Sequence, residues 1–376
     1  MYQMAIIWWI LGNAQSGAGK LVGSFMVMTA LPGVLLVRRI GSVVDRISSQ
    51  KILVRCDVLA AGIVGAVARG LHADALNVPI VFFAGFLAAT LQAFLDPTLN
   101  KAVGDVVDSQ DVEQAVGLLA STQSAANFSG AVLGAVLIEK LGVGGTAGLA
   151  ALGYLIAAGC STIARFRFVR AATVIEKSDQ LTGWEVVRDI PLLKQILIGF
   201  GLVNFFATPT LVVLPVYVKN TLQGSANLLG KLEACLWVGL ILGTVIAKGI
   251  ESKNQIRLGA ICLGVFGIAL AAPGAVVGET FYSCALFLAG LALGVNNVKF
   301  ISLFQNIIPQ ERKGRFFALM QAVIGFTFPV AYFLFGAATD VFSPPKVCLI
   351  QGMGVLLIAG YFLWLSQESL EIVQEG

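Results

Sequence analysis

Apolar runs about as long as a membrane is thick recur from one end of this chain to the other, and nothing else narrows the fold as far. A helix needs roughly 20 such residues to cross about 30 Å of hydrocarbon. Runs of that kind lie near residues 21–39, 50–69, 76–96, 116–138, 144–164, 191–217, 227–248, 257–277, 280–304, 316–338 and 347–366. None alternates with the period of two that a membrane-spanning strand shows, which excludes a β-barrel. Charged residues make up 12% of the chain, against about 25% in soluble domains. The expected fold is therefore all-α and polytopic, with eleven full spans.

Residues 1–14, MYQMAIIWWILGNA, are apolar but reach only about 21 Å as a helix, too short to cross. No basic region precedes them, so a cleaved signal peptide is not expected. An incomplete first helix fits better. The six cysteines sit singly in apolar stretches and form no C-x-x-C pair, so they read as small core residues. His72, the one histidine, has no ligand partners near it in sequence, and neither a metal site nor a cofactor is expected.

Charge position gives the orientation. If residues 1–14 run outward, the segments on the inner side hold 19 of the 25 Lys and Arg residues. The positive-inside rule then places both termini in the cytoplasm.

Two segment pairs point to an internal repeat. GSVVDRISSQK at 41–51 aligns with GTVIAKGIESK at 243–253, pairing Gly41 with Gly243, Val43 with Val245, Arg46 with Lys248 and Lys51 with Lys253. DVVDSQDVEQAVGLL at 105–119 aligns with NIIPQERKGRFFALM at 306–320 at nearly the same offset. Both pairs lie between corresponding spans, the mark of a parallel repeat of helical halves. The offset would start the partner of the seventh span about ten residues before Met1, which agrees with a clipped first helix. The expected organisation is an N-terminal six-helix bundle over 1–164, a charged cytoplasmic linker over 165–190 and a C-terminal six-helix bundle over 191–376. Within the linker Trp184, Val187 and Ile190 follow helical spacing, so it reads either as a short interfacial helix or as a solvated loop.

A 6+6 repeat with G-x-x-x-D-R-x-x-x-x-K between its second and third helices resembles the major facilitator superfamily. Gly41, Asp45, Arg46 and Lys51 stand at the anchors of that family's loop motif, while Ser48, Ser49 and Gln50 replace its usual Gly and Arg. LPGVLLVRRIGSVVDR and NIIPQERKGRFFALM look most like the branch that holds macrolide-efflux proteins and the enterobactin exporter. The resemblance implies an inner-membrane secondary transporter of a bacterium, working by alternating access and exporting a small amphipathic molecule such as a drug, a macrolide or a siderophore. It implies proton antiport and no enzymatic activity. The expected partners are that substrate, the proton and the lipid bilayer; nucleic acid is not among them, and a monomer is expected.

Two readings of the 41–51 segment stand. In the family's terms it is a latch, with Asp45 set against a helix end or against Arg312, Lys313 and Arg315, and with Gly41 allowing close backbone approach. In plain terms it is positive-inside loop chemistry. Polar groups inside the spans are the other candidates, because each is costly in hydrocarbon unless paired or facing water. Glu233, in LLGKLEACLWVGL, is a proton carrier on a cavity helix or else the partner of Lys231. Asp57 is a second carboxyl within a span, neutralised by Arg55 or Arg38 if its role is structural. Gln92, Gln123, Asn127, Asn204 and Gln321 fall on helices that line the cavity in the family, and interhelical hydrogen bonding is their plainer account. Lys299 either snorkels to the inner surface or favours an anionic substrate. Trp8, Trp9, Phe205, Phe206 and Tyr217 offer aromatic walls, or simply pack. Glycines spaced by four, at 130 and 134, 239 and 243, and 290 and 294, suit close helix crossings.

GNAQSGAGK at 12–20 falls short of a phosphate-binding loop, since Ala14 replaces its first glycine and Leu21 its Ser or Thr. An ion gradient, not ATP, is thus the expected energy source. Two rivals remain: a lipid or lysophospholipid transporter of the same fold, and a transport-inactive membrane scaffold or sensor.

Overall fold

The structure is a computed structural model, described over residues 1–14, 16–107, 112–164, 187–188, 191–252, 254–308 and 312–374. Within those residues it is helical throughout, without a strand. Helix α1 spans Tyr2–Asn13, α2 Ala18–Leu35, α3 Val37–Arg46, α4 Ser49–His72, α5 Val78–Val106 and α6 Val112–Ile163. Then follow α7 over Pro191–Ala207, α8 over Thr210–Asn220, α9 over Ala226–Ile246 with a 3₁₀ turn over Ala247–Gly249, α10 over Gln255–Ala275, α11 over Glu279–Ile307, α12 over Lys313–Val341 and α13 over Pro344–Gln374.

Among the described residues nine helical stretches are long and apolar enough to cross a membrane. The difference from eleven has two physical sources. Ser121–Ile163 holds two passes, divided at Gly142, whose φ of 71° only glycine adopts freely. α4 falls out because Lys51, Arg55, Asp57 and Arg69 interrupt it. The seventh span is broken instead of continuous: α7 stops at Ala207, and Pro209 caps α8. The second span also differs from expectation. It pauses at Leu36, one turn after Pro32, and then resumes as α3 through Gly41 to Arg46. A loop was expected there.

Several hydroxyls inside these helices are satisfied locally, as a medium without water demands. Thr90 donates to Phe86, Thr98 to Phe94, Thr244 to Leu240 and Thr327 to Val323, each one turn back.

The chain divides into two compact units. One comprises Met1–Gln15 with Ser24–Glu176, the other Ser16–Gly23 with Lys177–Gly376. In the first, Ile40, Val44, Ile52, Leu53, Cys56 and Leu95 join α3, α4 and α5, and Val64, Ala68, Ala147 and Ala151 join α4 to α6. Met1 and Met4 lie against Gly134, which draws the start of α1 onto α6. In the second, Phe300, Phe304, Phe316 and Phe362 form an aromatic centre, with Phe304 and Phe316 rings 4.9 Å apart. There α9 and α11 cross backbone to backbone. A Cβ on Gly239, Gly243, Gly290 or Gly294 would collide with a carbonyl of the facing helix. Of the linker residues only Val187 and Arg188 are described, and Val187 is buried in the second unit's core. Trp184 and Ile190 lie outside the described residues.

Candidate functional site

The segment around Gly41 is built from the outside in. Among its charged side chains, Arg46 and Lys51 are exposed, while those of Asp45 and Arg315 lie outside the described residues, and Arg312 already has a partner of its own. Among the described residues a Cβ on Gly41 would meet nothing within 4 Å. What holds the segment is Lys101 of α5. Its Nζ donates to the carbonyls of Val44, at 2.5 Å, and Ile47, at 3.2 Å, at the C-terminal end of α3. A cation there satisfies carbonyls that the helix leaves open and meets the negative end of its dipole. Gln50 provides a second tie, donating to the carbonyls of Ser161, Thr162 and Ala164 at 3.0, 3.2 and 3.1 Å. This residue, which departs from the family's usual Arg, thereby closes the end of α6.

The second unit repeats both ties. Lys299 of α11 donates from Nζ to the carbonyl of Ile250 at 2.5 Å, just past the 3₁₀ turn that ends α9. Asn254 donates to the carbonyl of Ser366 near the end of α13 at 3.1 Å. Spacing between matched residues is close to the repeat offset in every case, from Lys101 with Lys299 to Gln50 with Asn254. Lys299 thus has its amine on the chain between α9 and α10.

The remaining candidates fall into separate places. Asp57 is 6% exposed, on a face of α4 with Cys56, Ala60 and Ala61, while Arg55 is exposed. Gln92 bonds Asp96 one turn on at 2.7 Å, and both are exposed. Gln123 and Asn127 are exposed one turn apart on α6. Asn204 donates to the Phe200 carbonyl at 2.9 Å, and Gln321 is exposed on α12. Glu233 is half-buried on α9, and Lys231, its alternative partner, bonds Glu279 at 2.6 Å instead. Tyr217 is fully buried, with its hydroxyl on the Pro273 carbonyl at 2.8 Å, so it packs and offers no wall.

An open groove with about 310 Å³ of space lies between α7 and α12. Ile198, Gly201, Leu202 and Phe205 line it from α7 and Phe326, Thr327 and Val330 from α12. Spacings of three and four residues put each set on one helix face. Thr327's hydroxyl already bonds the Val323 carbonyl, so the lining offers apolar and aromatic surface and scarcely a polar group. Phe205 was legible beforehand as an aromatic wall; Phe326 was not, because only its register against α7 marks it. Asn296 was missed as well. It is 3% exposed in the middle of α11, with its Oδ1 buried and without a partner among the described residues. A paired Asn-Asn in an apolar run was the available signal.

A model of the Major Facilitator Superfamily matches residues 1–332. The chain belongs to the Major Facilitator Superfamily. Members of this superfamily are transporters and not enzymes, so this one is a multi-pass membrane transporter. Among its relatives, Macrolide efflux protein A of Streptococcus pyogenes is 23% identical, over 95% of this chain and 89% of that one. The MFS-type transporter YvqJ of Bacillus subtilis is 22% identical, over 95% and 86%. The superfamily fold also appears in solved structures. A bacterial homologue of the iron transporter ferroportin, inward-facing, superposes with a TM-score of 0.72 at 14% identity, covering 97% of this chain and 95% of that one. A peptide transporter in complex with alafosfalin gives a TM-score of 0.73 at 14% identity, covering 98% and 91%.

Proposed function

We propose that this superfamily member is a proton-coupled exporter of an amphipathic, largely apolar compound of macrolide type, working by alternating access between its two six-helix halves. The open apolar groove between α7 and α12 carries this reading. Its Phe205 and Phe326 rings and its aliphatic sides suit an apolar ring surface and give an anion nothing to pair with. Macrolide-efflux relatives point the same way. A catecholate siderophore fits less well, because Lys299, the cation once free to meet an anion, bonds a backbone carbonyl.

In this reading Glu233 carries the coupling proton, with Asp57 as the second carboxyl. Gln92, Gln123, Asn127, Asn204 and Gln321 give the path its polar patches, since amides within spans are tolerated where water or a backbone carbonyl meets them. Asp45 works with Arg46, Lys51, Arg312 and Arg315 as the inner gate. The protein resides in a bacterial cytoplasmic membrane as a monomer, with both termini on the cytoplasmic side.

Accumulation of a radiolabelled macrolide and of a catecholate siderophore, in cells with and without the protein, tests the substrate class. The macrolide alone is expected to be depleted, and Phe326→Ala should weaken that depletion about tenfold if the ring stacks on substrate. Depletion of the siderophore alone would overturn the proposal.

A further inference from the structure

The seventh span breaks at a depth where hydrocarbon offers a backbone no water. α7 stops at Ala207 and α8 starts at Thr210, with Thr208 and Pro209 between them. Pro209 has no N–H, so the carbonyl of Phe205, four residues back, loses the donor that a continuous helix would give it. The N–H of Leu211 turns to the Thr208 carbonyl at 3.2 Å, which takes the helical donor from the Ala207 carbonyl as well. Between these two, the Phe206 carbonyl is met by another helix of the same unit. Gln351 of α13, only 2% exposed, donates to it from Nε2 at 2.9 Å.

Oxygens therefore outnumber donors at the break. Thr210, at the start of α8, is 8% exposed, and its Oγ1 is buried without a hydrogen-bond partner among the described residues. Thr244 and Thr327 each bond the carbonyl one turn back, but for Thr210 that carbonyl is Phe206, already held by Gln351. A buried hydroxyl left unmet is costly, and a site that uses it is a reason to keep one. Gln351 spends its Nε2 on Phe206, which leaves its Oε1 at the same break. The donor set is neutral, since no Asp or Glu lies anywhere from Pro191 to Asn220. The C-terminal end of α7 adds the negative end of its dipole.

We infer that the α7–α8 break binds a sodium ion, held by the carbonyls of Phe205 and Ala207, Thr210 Oγ1 and Gln351 Oε1. Oxygen donors suit a hard cation, and an uncharged set suits one positive charge, because a divalent ion calls for carboxylates. Interrupted helices whose freed carbonyls and half-helix ends face inward are able to coordinate sodium inside a membrane. The site also adjoins the groove, for Phe205 gives its ring to the groove and its carbonyl to the break. Bound sodium thus fixes the backbone from which that ring projects. The inference goes beyond the proposed export and does not rest on it.

Full-length protein purified in detergent and choline chloride is titrated with radioactive sodium at constant ionic strength. The protein is expected to bind sodium saturably, to release it to unlabelled sodium but not to choline, and to melt at a higher temperature in sodium than in choline. Thr210→Val removes the hydroxyl and should weaken binding about tenfold, whereas Thr210→Ser should keep it. Pro209→Ala returns an N–H to the Phe205 carbonyl, so it should mend the helix, leave the protein folded and likewise weaken binding about tenfold. If Thr210→Val fails to fold, Pro209→Ala decides. Absence of saturable sodium binding would mean that water alone fills the break and would overturn the inference. Unchanged affinity in Pro209→Ala, or in folded Thr210→Val, would overturn it too. Neither substrate nor pH gradient enters the assay, so its failure would leave the proposed export standing, and failure of export would leave the sodium site standing.

Discussion

The segments 41–51 and 243–253, which align in sequence, are tied alike and packed differently. Both are tied by a lysine from a neighbouring helix, and in both halves an amide closes the end of the last helix. Those ties satisfy backbone carbonyls, a requirement that does not lapse in either half. Elsewhere the copies part. Gly243 lies in a backbone crossing with α11, whereas Gly41 has open space around its Cα. Asp45 faces Ala247 in the alignment, and Ala247 is fully buried. The two segments thus share the ties that hold their ends and differ in the packing around Gly41 and Gly243.

The largest effect is expected from exchanging the residues at which the two segments differ. Ala247→Asp buries a carboxylate in a closed site and is expected to destabilise the protein by about 3 kcal/mol or more, seen as loss of folded material in detergent. Recovery of a normally stable Ala247→Asp protein would mean the two segments still share one design. Glycine exchange ranks next. Gly243→Val drives a side chain into the Leu291 carbonyl and should cost about 1–3 kcal/mol. Gly41→Ala should be neutral or stabilise by up to about 1 kcal/mol, since Gly41 lies within α3 without a packing need. Thermal unfolding of the two variants side by side checks the contrast.

Removal of the ties sharpens what the halves share. Lys101→Met leaves two carbonyls without their donor and Lys299→Met leaves one. Both should lower stability by about 1–3 kcal/mol, with Lys101→Met the larger. A selective loss of siderophore transport in Lys299→Met, at unchanged stability, would return that lysine to the substrate path. Glu233→Gln is the mildest of the set for folding, because it keeps size and hydrogen-bonding capacity. It should leave melting unchanged and remove the response of transport to a pH gradient.

Apolar length was legible without coordinates, and so were the tight glycine crossings, because both follow from what hydrocarbon permits over one continuous stretch. The helical character of Val37–Arg46 was hidden by its charges, which read as a loop until the ammonium of Lys101 appeared at its end. Lys299 was ambiguous for the same reason: a cation near a span end looks alike whether it meets a substrate or a carbonyl. The groove was beyond reach, since Phe205 and Phe326 are brought together only by the packing of α7 on α12.

Purified protein in proteoliposomes shows whether a proton gradient drives export. With a pH gradient imposed across the membrane, a radiolabelled macrolide should accumulate against its own gradient, should stop when an ionophore collapses the pH difference, and should fail to accumulate with Glu233→Gln. Accumulation that survives both the ionophore and Glu233→Gln would mean that export is not driven by protons through Glu233.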